Sequence, residues 1–136
     1  MTDLETLLTR LSTVDENTSE AEKAELGAQV LTRVTGYEHI ARSWESSRDI
    51  PGGKISVWKT EGTGNRLARN PVTNLNAAIA LCDEHMPKGS IWTICSDGAA
   101  MLMTADGMEQ IITRAGDRCL NLCFCLLKAM EADAQA

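Results

Sequence analysis

The feature that most constrains this chain is a pair of Asp-Gly dipeptides inside one largely apolar stretch, Ser90 to Ile112. They separate three short apolar runs, which are Ile91 to Cys95, Ala99 to Thr104 and Met108 to Ile112. A glycine after an aspartate supplies the positive φ angle that a tight hairpin turn requires. The stretch is therefore predicted to form a three-stranded antiparallel meander.

A second region with strand character lies earlier in the chain, at Ile55 to Lys59 between two glycine-rich turns. Because two or three strands alone make a poor platform for helices, we expect this segment to add a fourth strand to the meander. The remainder of Tyr37 to Pro71 has poor periodicity and is predicted to be irregular.

Apolar residues at helical spacing predict helices on both sides of these strands. The first covers residues 2 to 14, and the second begins at a Ser19–Glu22 capping box and stops at Gly36. A third is opened by Pro71 and Thr73.

The last helix is predicted from Arg114 to about Ala132, with Thr113 as its cap. Its middle is apolar all round except for Asn121, which is typical of a helix buried on more than one side. One side should cover the sheet, and the other should meet the N-terminal helix or a copy from a partner subunit.

With 136 residues the chain fits one domain. The predicted fold class is α+β, with a small antiparallel sheet of three to four strands in a meander, packed with helices. Residues 1–17 are predicted to form an N-terminal helical extension, and residues 18–136 a ligand-binding domain.

A net charge of −6 disfavours general binding to nucleic acid but leaves open an acidic inhibitor that binds a basic protein. No secretory leader and no apolar stretch of about 18 residues is found, so no membrane partner is expected. The cysteine count of five is odd, and Cys119, Cys123 and Cys125 crowd into one apolar segment, which is unlike the spacing of a disulfide framework and favours a reducing cytoplasm.

Few residues can be assembled into a reactive site. Cys119, Cys123 and Cys125 lie in an apolar run far from either histidine, so we interpret them as buried small hydrophobic residues and expect neither metal binding nor thiol catalysis. No Ser-His-Asp or paired-carboxylate arrangement can be built, so we expect no enzyme and no cofactor.

The strongest candidate for ligand binding is the start of the last helix. Arg114 and Arg118 are four residues apart and would share one helix face beside Thr113 and free backbone amides, an arrangement suited to an anion. The alternative is an exposed basic face without a ligand. Arg66, in a loop of the Gly-x-Gly type, is a weaker candidate.

The order of these elements, with Thr73 to Ala78 opening one helix and Thr113 to Ala129 in the last, resembles the small phage proteins of the ABA-sandwich type. It is similar, more distantly, to the Thoeris anti-defence sponge family of phages, and the resemblance covers roughly residues 19 to 132. It implies a homo-oligomeric protein in the cytoplasm of an infected bacterium that holds a cyclic ADP-ribose isomer or a cyclic oligonucleotide intact. Asn74, Asn76 and, as a base-stacking ring, Trp58 are then further candidates.

Two other functions stay open. The first is a phage-encoded inhibitor that binds a host defence protein directly, through an acidic surface and exposed tryptophans. The second is a small hydrolase. Binding of a nucleotide signal predicts basic residues converging in a pocket, whereas the inhibitor predicts a broad acidic or apolar surface.

Overall fold

A computed structural model describes residues 3–37, 39–44, 55–60, 69–104, 107 and 110–135. The elements, in chain order, are α1 (Asp3–Ser12), α2 (Glu20–Thr35), β1 (His39–Trp44), β2 (Ile55–Thr60), α3 (Leu75–His85), β3 (Ile91–Ile94), β4 (Ala100–Met103), β5 (Gln110–Ile112) and α4 (Arg118–Gln135). This order confirms the predicted α+β class with an N-terminal helix.

The second helix begins and ends as its sequence predicts. The Ser19 side chain accepts a hydrogen bond from the Glu22 backbone N–H at 3.1 Å, which satisfies an amide that the first turn leaves open. At the other end Gly36 adopts the left-handed conformation with φ of 79°, and its N–H donates to the Thr32 carbonyl.

The meander is confirmed, but the fourth strand is not part of it. Strands β3, β4 and β5 pair in that order, each antiparallel to its neighbour. The strand predicted at Ile55 to Lys59 forms as β2, yet it pairs with β1 in a separate two-stranded sheet. The prediction that Tyr37 to Pro71 holds one strand was therefore wrong, because β1 supplies the partner that β2 needs for its backbone hydrogen bonds.

The start of the last helix also differs from the prediction. It begins at Arg118 rather than Arg114, and the cap is Asp117, whose carboxylate accepts from the Leu120 N–H at 3.0 Å. Thr113 is engaged elsewhere, because its hydroxyl accepts from the Ala100 N–H at 2.7 Å and extends the pairing of β4 with β5.

The helix α4 contacts α1, α3 and β4, so one chain covers the helix that looked too apolar for a single sheet. Leu4, Leu7, Leu8 and Leu11 of α1 are 3 to 7% exposed and belong to the same core as Leu122, Leu126 and Leu127. Of the two partners expected for the second side of α4, the N-terminal helix is the one that covers it, whereas the oligomer that the resemblance implies stays a prediction.

Asn70 ties α2 to the start of α3 from a buried position, at 6% exposure. Its side-chain amide donates to the Lys23 carbonyl at 3.1 Å, and its oxygen accepts from the Val72 N–H at 2.9 Å. A Cβ atom at Gly27 would collide with this side chain, so the absence of a side chain at Gly27 makes the room that Asn70 fills.

The turn between β3 and β4 rests against the segment before α4. Gly98 has a φ of 92°, and a Cβ atom there would collide with the Gly116 carbonyl. The Asn121 side chain donates to the carbonyls of Gly98 at 2.7 Å and Arg114 at 3.0 Å. Asn121, the polar residue in the apolar middle of α4, thus holds the turn between β3 and β4 against the segment before α4.

Candidate functional site

The predicted anion site at the start of the last helix is not assembled as expected. Arg114 lies before α4, so it does not share a helix face with Arg118. The Arg118 guanidinium donates to the Ser96 carbonyl at 3.1 Å and is exposed. The Asp117 carboxylate accepts from one amide of the first turn of α4, that of Leu120, and places a negative charge at the helix start where we expected a phosphate.

The two candidate asparagines have different environments. Asn74 is the N-cap of α3, and its side-chain oxygen accepts from the Ala77 N–H at 2.9 Å. This bond gives Asn74 a structural role at the helix start. Asn76 is exposed on the first turn.

Two further candidates cannot be placed in a site. Arg66 lies outside the residues that the structure describes. Trp58 lies in β2, paired with Ala41 of β1, and its side chain is likewise outside the description. The described residues therefore do not bring the seven candidates together, and their role in binding stays a prediction.

Basic side chains converge instead in a cleft between α1, α2 and the start of β1, which we call the basic cleft. Its volume is about 730 Å³, within the range of about 300 to 1,000 Å³ that is usual for small-molecule sites. Two arginines and a histidine face a single carboxylate there; the lining residues are Asp3, Thr6, Leu7, Arg10, Gln29, Thr32, Arg33, Gly36 and His39.

Hydrogen bonds fix two of the three basic groups in the basic cleft. The Arg10 guanidinium donates to the Gln29 side-chain oxygen at 2.8 Å, which directs one edge of the group and leaves its other N–H donors available. The His39 Nδ1 lies 2.9 Å from the Tyr37 carbonyl, so Nδ1 carries the proton and Nε2 is left to contact a ligand. The His39 backbone N–H donates to the Thr32 hydroxyl at 3.0 Å and anchors β1 to α2.

Arg33 is the most accessible of the three. It lies in the last turn of α2, is exposed, and forms no ion pair with any residue that the structure describes. A guanidinium without a carboxylate partner can bind a phosphate through two parallel hydrogen bonds.

Our sequence reasoning missed the basic cleft because its residues lie on three separate elements and form no motif. The available signal was the short connection between α1 and α2, which makes the two helices neighbours. That signal brings α1 beside α2 but does not pair Arg10 with Arg33, because a short connection makes neighbouring helices antiparallel and places the end of α1 beside the start of α2.

A second cleft, of about 510 Å³, has the opposite charge, and we call it the acidic cleft. Four carboxylates face one lysine, and that lysine forms an ion pair with Glu20 at 3.5 Å. The lining residues are Val14, Asp15, Glu16, Glu20, Lys23, Val72, Thr73, Asp117 and Leu120.

Cys119, Cys123 and Cys125 are buried as predicted, Cys82 is buried as well, and these four are unsuited to nucleophilic chemistry. Burial raises the pKa of the Cys82 thiol to about 12 and the pKa of Cys119 and Cys125 to about 11. Burial also raises the pKa of Cys123 well above its ordinary value. These thiols are therefore protonated at neutral pH, when a nucleophile would need the thiolate.

Within the described part of the chain, no group of three or more His, Cys, Asp or Glu side chains is placed to hold a metal ion. No helix in that same part is long and apolar enough to cross a membrane. Comparisons with protein-family models, with curated proteins and with solved structures found no match.

Proposed function

We propose that this chain is a phage anti-defence protein that binds a cyclic nucleotide-derived immune signal in the cytoplasm of the infected bacterium and holds it without cleaving it. The signal would be a cyclic ADP-ribose isomer or a cyclic oligonucleotide. The observation that carries the proposal is the basic cleft, a nucleotide-sized space with two arginines and a histidine in a chain whose net charge is −6.

The chemistry of the basic cleft suits a ligand that combines phosphate with sugar. Arg10 and Arg33 offer guanidinium groups to phosphate oxygens. His39 points Nδ1 at the Tyr37 carbonyl and leaves Nε2 to form a hydrogen bond with a sugar hydroxyl. The identity of the ligand as an immune signal comes from the resemblance of residues 19 to 132 to phage proteins.

Retention without cleavage is favoured by the groups around the cleft. A hydrolase would need a nucleophile or an activated water beside the bound phosphate. The lining offers two threonine hydroxyls, one carboxylate, Asp3, and the His39 imidazole, whose Nε2 we assign to a sugar hydroxyl of the ligand, and it offers no cysteine. We therefore expect the ligand to leave the protein unchanged.

The test is calorimetry of the purified protein against a panel of cyclic ADP-ribose isomers and cyclic di- and trinucleotides. One ligand is expected to bind, and heating the complex is expected to release it intact. Recovery of a cleaved product would show that the protein is an enzyme and would contradict the proposal. No heat with any ligand would favour the protein-inhibitor alternative.

Substitutions then locate the site. Because a hydrogen bond to a charged group contributes about 1.5 to 3 kcal/mol, Arg10→Ala and Arg33→Ala should each weaken binding by at least about tenfold. Arg69→Ala is the matched control, since Arg69 is exposed and lines neither cleft. If Arg114→Ala or Arg118→Ala weakens binding and the cleft variants do not, the ligand binds at the start of α4.

The second candidate function, an inhibitor that binds a host defence protein, is favoured by the acidic cleft. Four carboxylates there could face a basic patch on a partner. Capture of a basic host protein that is lost when Glu16 and Glu20 are both replaced by glutamine would support it.

A further inference from the structure

Gln29 lies between the two arginines of the basic cleft. Arg33 follows it by four residues in α2, so both side chains project from one face of the helix. Arg10 reaches this face from α1, and its guanidinium donates to the Gln29 side-chain oxygen at 2.8 Å. Gln29 therefore holds the guanidinium of Arg10 one helical turn of α2 away from the position of Arg33.

The orientation of the Gln29 amide is set from both sides. Its oxygen accepts from Arg10, and its nitrogen donates to the Glu25 carboxylate at 3.4 Å. A guanidinium can only donate and a carboxylate can only accept, so the reversed amide would lose both hydrogen bonds. The acceptor thus faces Arg10, and the negative charge of Glu25 stays one turn earlier in α2.

The Gln29 amide holds Arg10 without neutralising its charge. Neither arginine of the basic cleft forms an ion pair with any residue that the structure describes. A carboxylate in place of this amide would cancel the charge of Arg10 and take up two of its N–H donors. Like charges one helical turn apart repel each other, so without a tether Arg10 would turn towards solvent. A neutral tether therefore keeps two positive groups in one cleft and leaves both available to an anion.

We propose that the basic cleft binds a diphosphate group through Arg10 and Arg33, and that Gln29 is the residue that positions Arg10 for it. Two linked phosphates carry separate negative charges, so each guanidinium can bind one of them through a pair of N–H donors. Gln29 occupies one donor of Arg10 and leaves the others for the phosphate. The inference rests on the proposed function in one respect, which is that the basic cleft binds a phosphate-bearing ligand.

Calorimetry of the full chain with inorganic pyrophosphate, up to millimolar concentration, tests the inference. The unaltered chain should bind. Gln29→Ala removes the tether but keeps both positive charges, and should weaken binding by about threefold to tenfold because Arg10 must then be ordered by the ligand. Gln29→Glu keeps an acceptor of the same shape but adds a negative charge beside Arg10, and should weaken binding more, by at least about tenfold.

This order separates positioning for a ligand from a contact that only joins two helices. If Gln29 served only to hold α1 against α2, Gln29→Glu would be the milder change, because it keeps the bond to Arg10. Its melting temperature should accordingly be no lower than that of the unaltered chain. Gln110→Glu is the matched control, since Gln110 is exposed in β5, lines neither cleft and changes the net charge equally; it should bind pyrophosphate like the unaltered chain.

A double-mutant cycle tests whether Gln29 acts through Arg10. In a chain that already carries Arg10→Ala, the further change Gln29→Ala should have no effect on pyrophosphate binding. A further loss there would overturn the positioning role, as would a Gln29→Glu chain that binds at least as tightly as the Gln29→Ala chain.

The inference and the proposed function can fail separately. An unaltered chain that binds a cyclic nucleotide but gives no heat with pyrophosphate overturns the inference and leaves the proposed function intact. A chain that binds pyrophosphate through Arg10, Arg33 and Gln29 but binds no cyclic nucleotide does the reverse.

Discussion

The two clefts lie at opposite ends of α2 and carry opposite charge. The acidic cleft includes Glu20 and Lys23 in the first turns of the helix, and the basic cleft includes Arg33 in its last turn. Acidic residues near the start and basic residues near the end stabilise any helix through its dipole. Helix stability alone therefore accounts for part of the contrast.

The dipole of α2 does not account for the rest. Arg10 comes from α1 and His39 from β1, yet both line the basic cleft. Asp117 comes from the turn before α4, yet it lines the acidic cleft. Side chains of one chemical character from different elements have thus gathered at each end, and each end attracts groups of the opposite charge. The contrast shows that a chain with an overall charge of −6 has one cleft lined mainly by basic side chains and one lined mainly by acidic side chains.

The largest expected effect comes from loosening α1, which contributes a wall to the basic cleft and leads into the acidic one. Leu11→Ala removes a side chain that is 3% exposed in the shared core, and should lower the free energy of unfolding by about 2 to 5 kcal/mol. Urea denaturation measures the free energy of unfolding of each variant. Thr13→Ala, at an exposed position, is the control and should change it by less than about 0.5 kcal/mol. A Leu11→Ala chain as stable as the control would mean that residues 1–17 are a separable extension.

A smaller loss of stability is expected from a substitution that loosens two residues lining the acidic cleft, Lys23 and Val72. Asn70→Ala removes the hydrogen bonds with the Lys23 carbonyl and the Val72 N–H, and should lower the free energy of unfolding by about 1 to 3 kcal/mol. The same substitution at the exposed Asn76 should be nearly neutral. Nucleotide binding at the basic cleft should persist in the folded Asn70→Ala chain, and its loss there would show that the two ends are coupled.

The smallest expected effect comes from removing one negative charge of the acidic cleft, which should leave the fold intact. Glu20→Gln removes the ion pair with Lys23, but Glu20 is 88% exposed, so the free energy of unfolding should change by less than about 1 kcal/mol. Thermal melting at low and high salt measures the change. A drop of several kcal/mol would show that the acidic cleft has a structural purpose, which would weaken its use as evidence for a basic partner.

Local signals predicted the elements better than the contacts between them. Ser19 and Gly36 bound α2 as predicted, because caps act within one turn. The predicted start of α4 was wrong because both Thr113 and Asp117 could cap the helix. The Thr113 hydroxyl is instead bonded to the Ala100 N–H, a partner distant in the sequence. The strand β1 was missed because its pairing with β2 crosses a long segment without regular periodicity.

The candidate site was the least predictable part. Arg10, Arg33 and His39 are each unremarkable surface residues in the sequence, and only the packing of α1 on α2 brings them together. The cysteines of α4, by contrast, could be predicted from the sequence. The burial of Cys119, Cys123 and Cys125 followed from the apolar run around them, because a helix that is apolar all round is buried on more than one side.

The two Asp-Gly turns of the meander look alike in the sequence, but they offer different places to attach a reporter. Gly98 faces the Gly116 carbonyl, so even one added methyl group meets backbone there. Around Gly107, open space surrounds the position of a Cβ atom. A fluorophore or an inserted epitope should therefore be placed at Gly107, where it would report on the meander without disrupting its contact with α4.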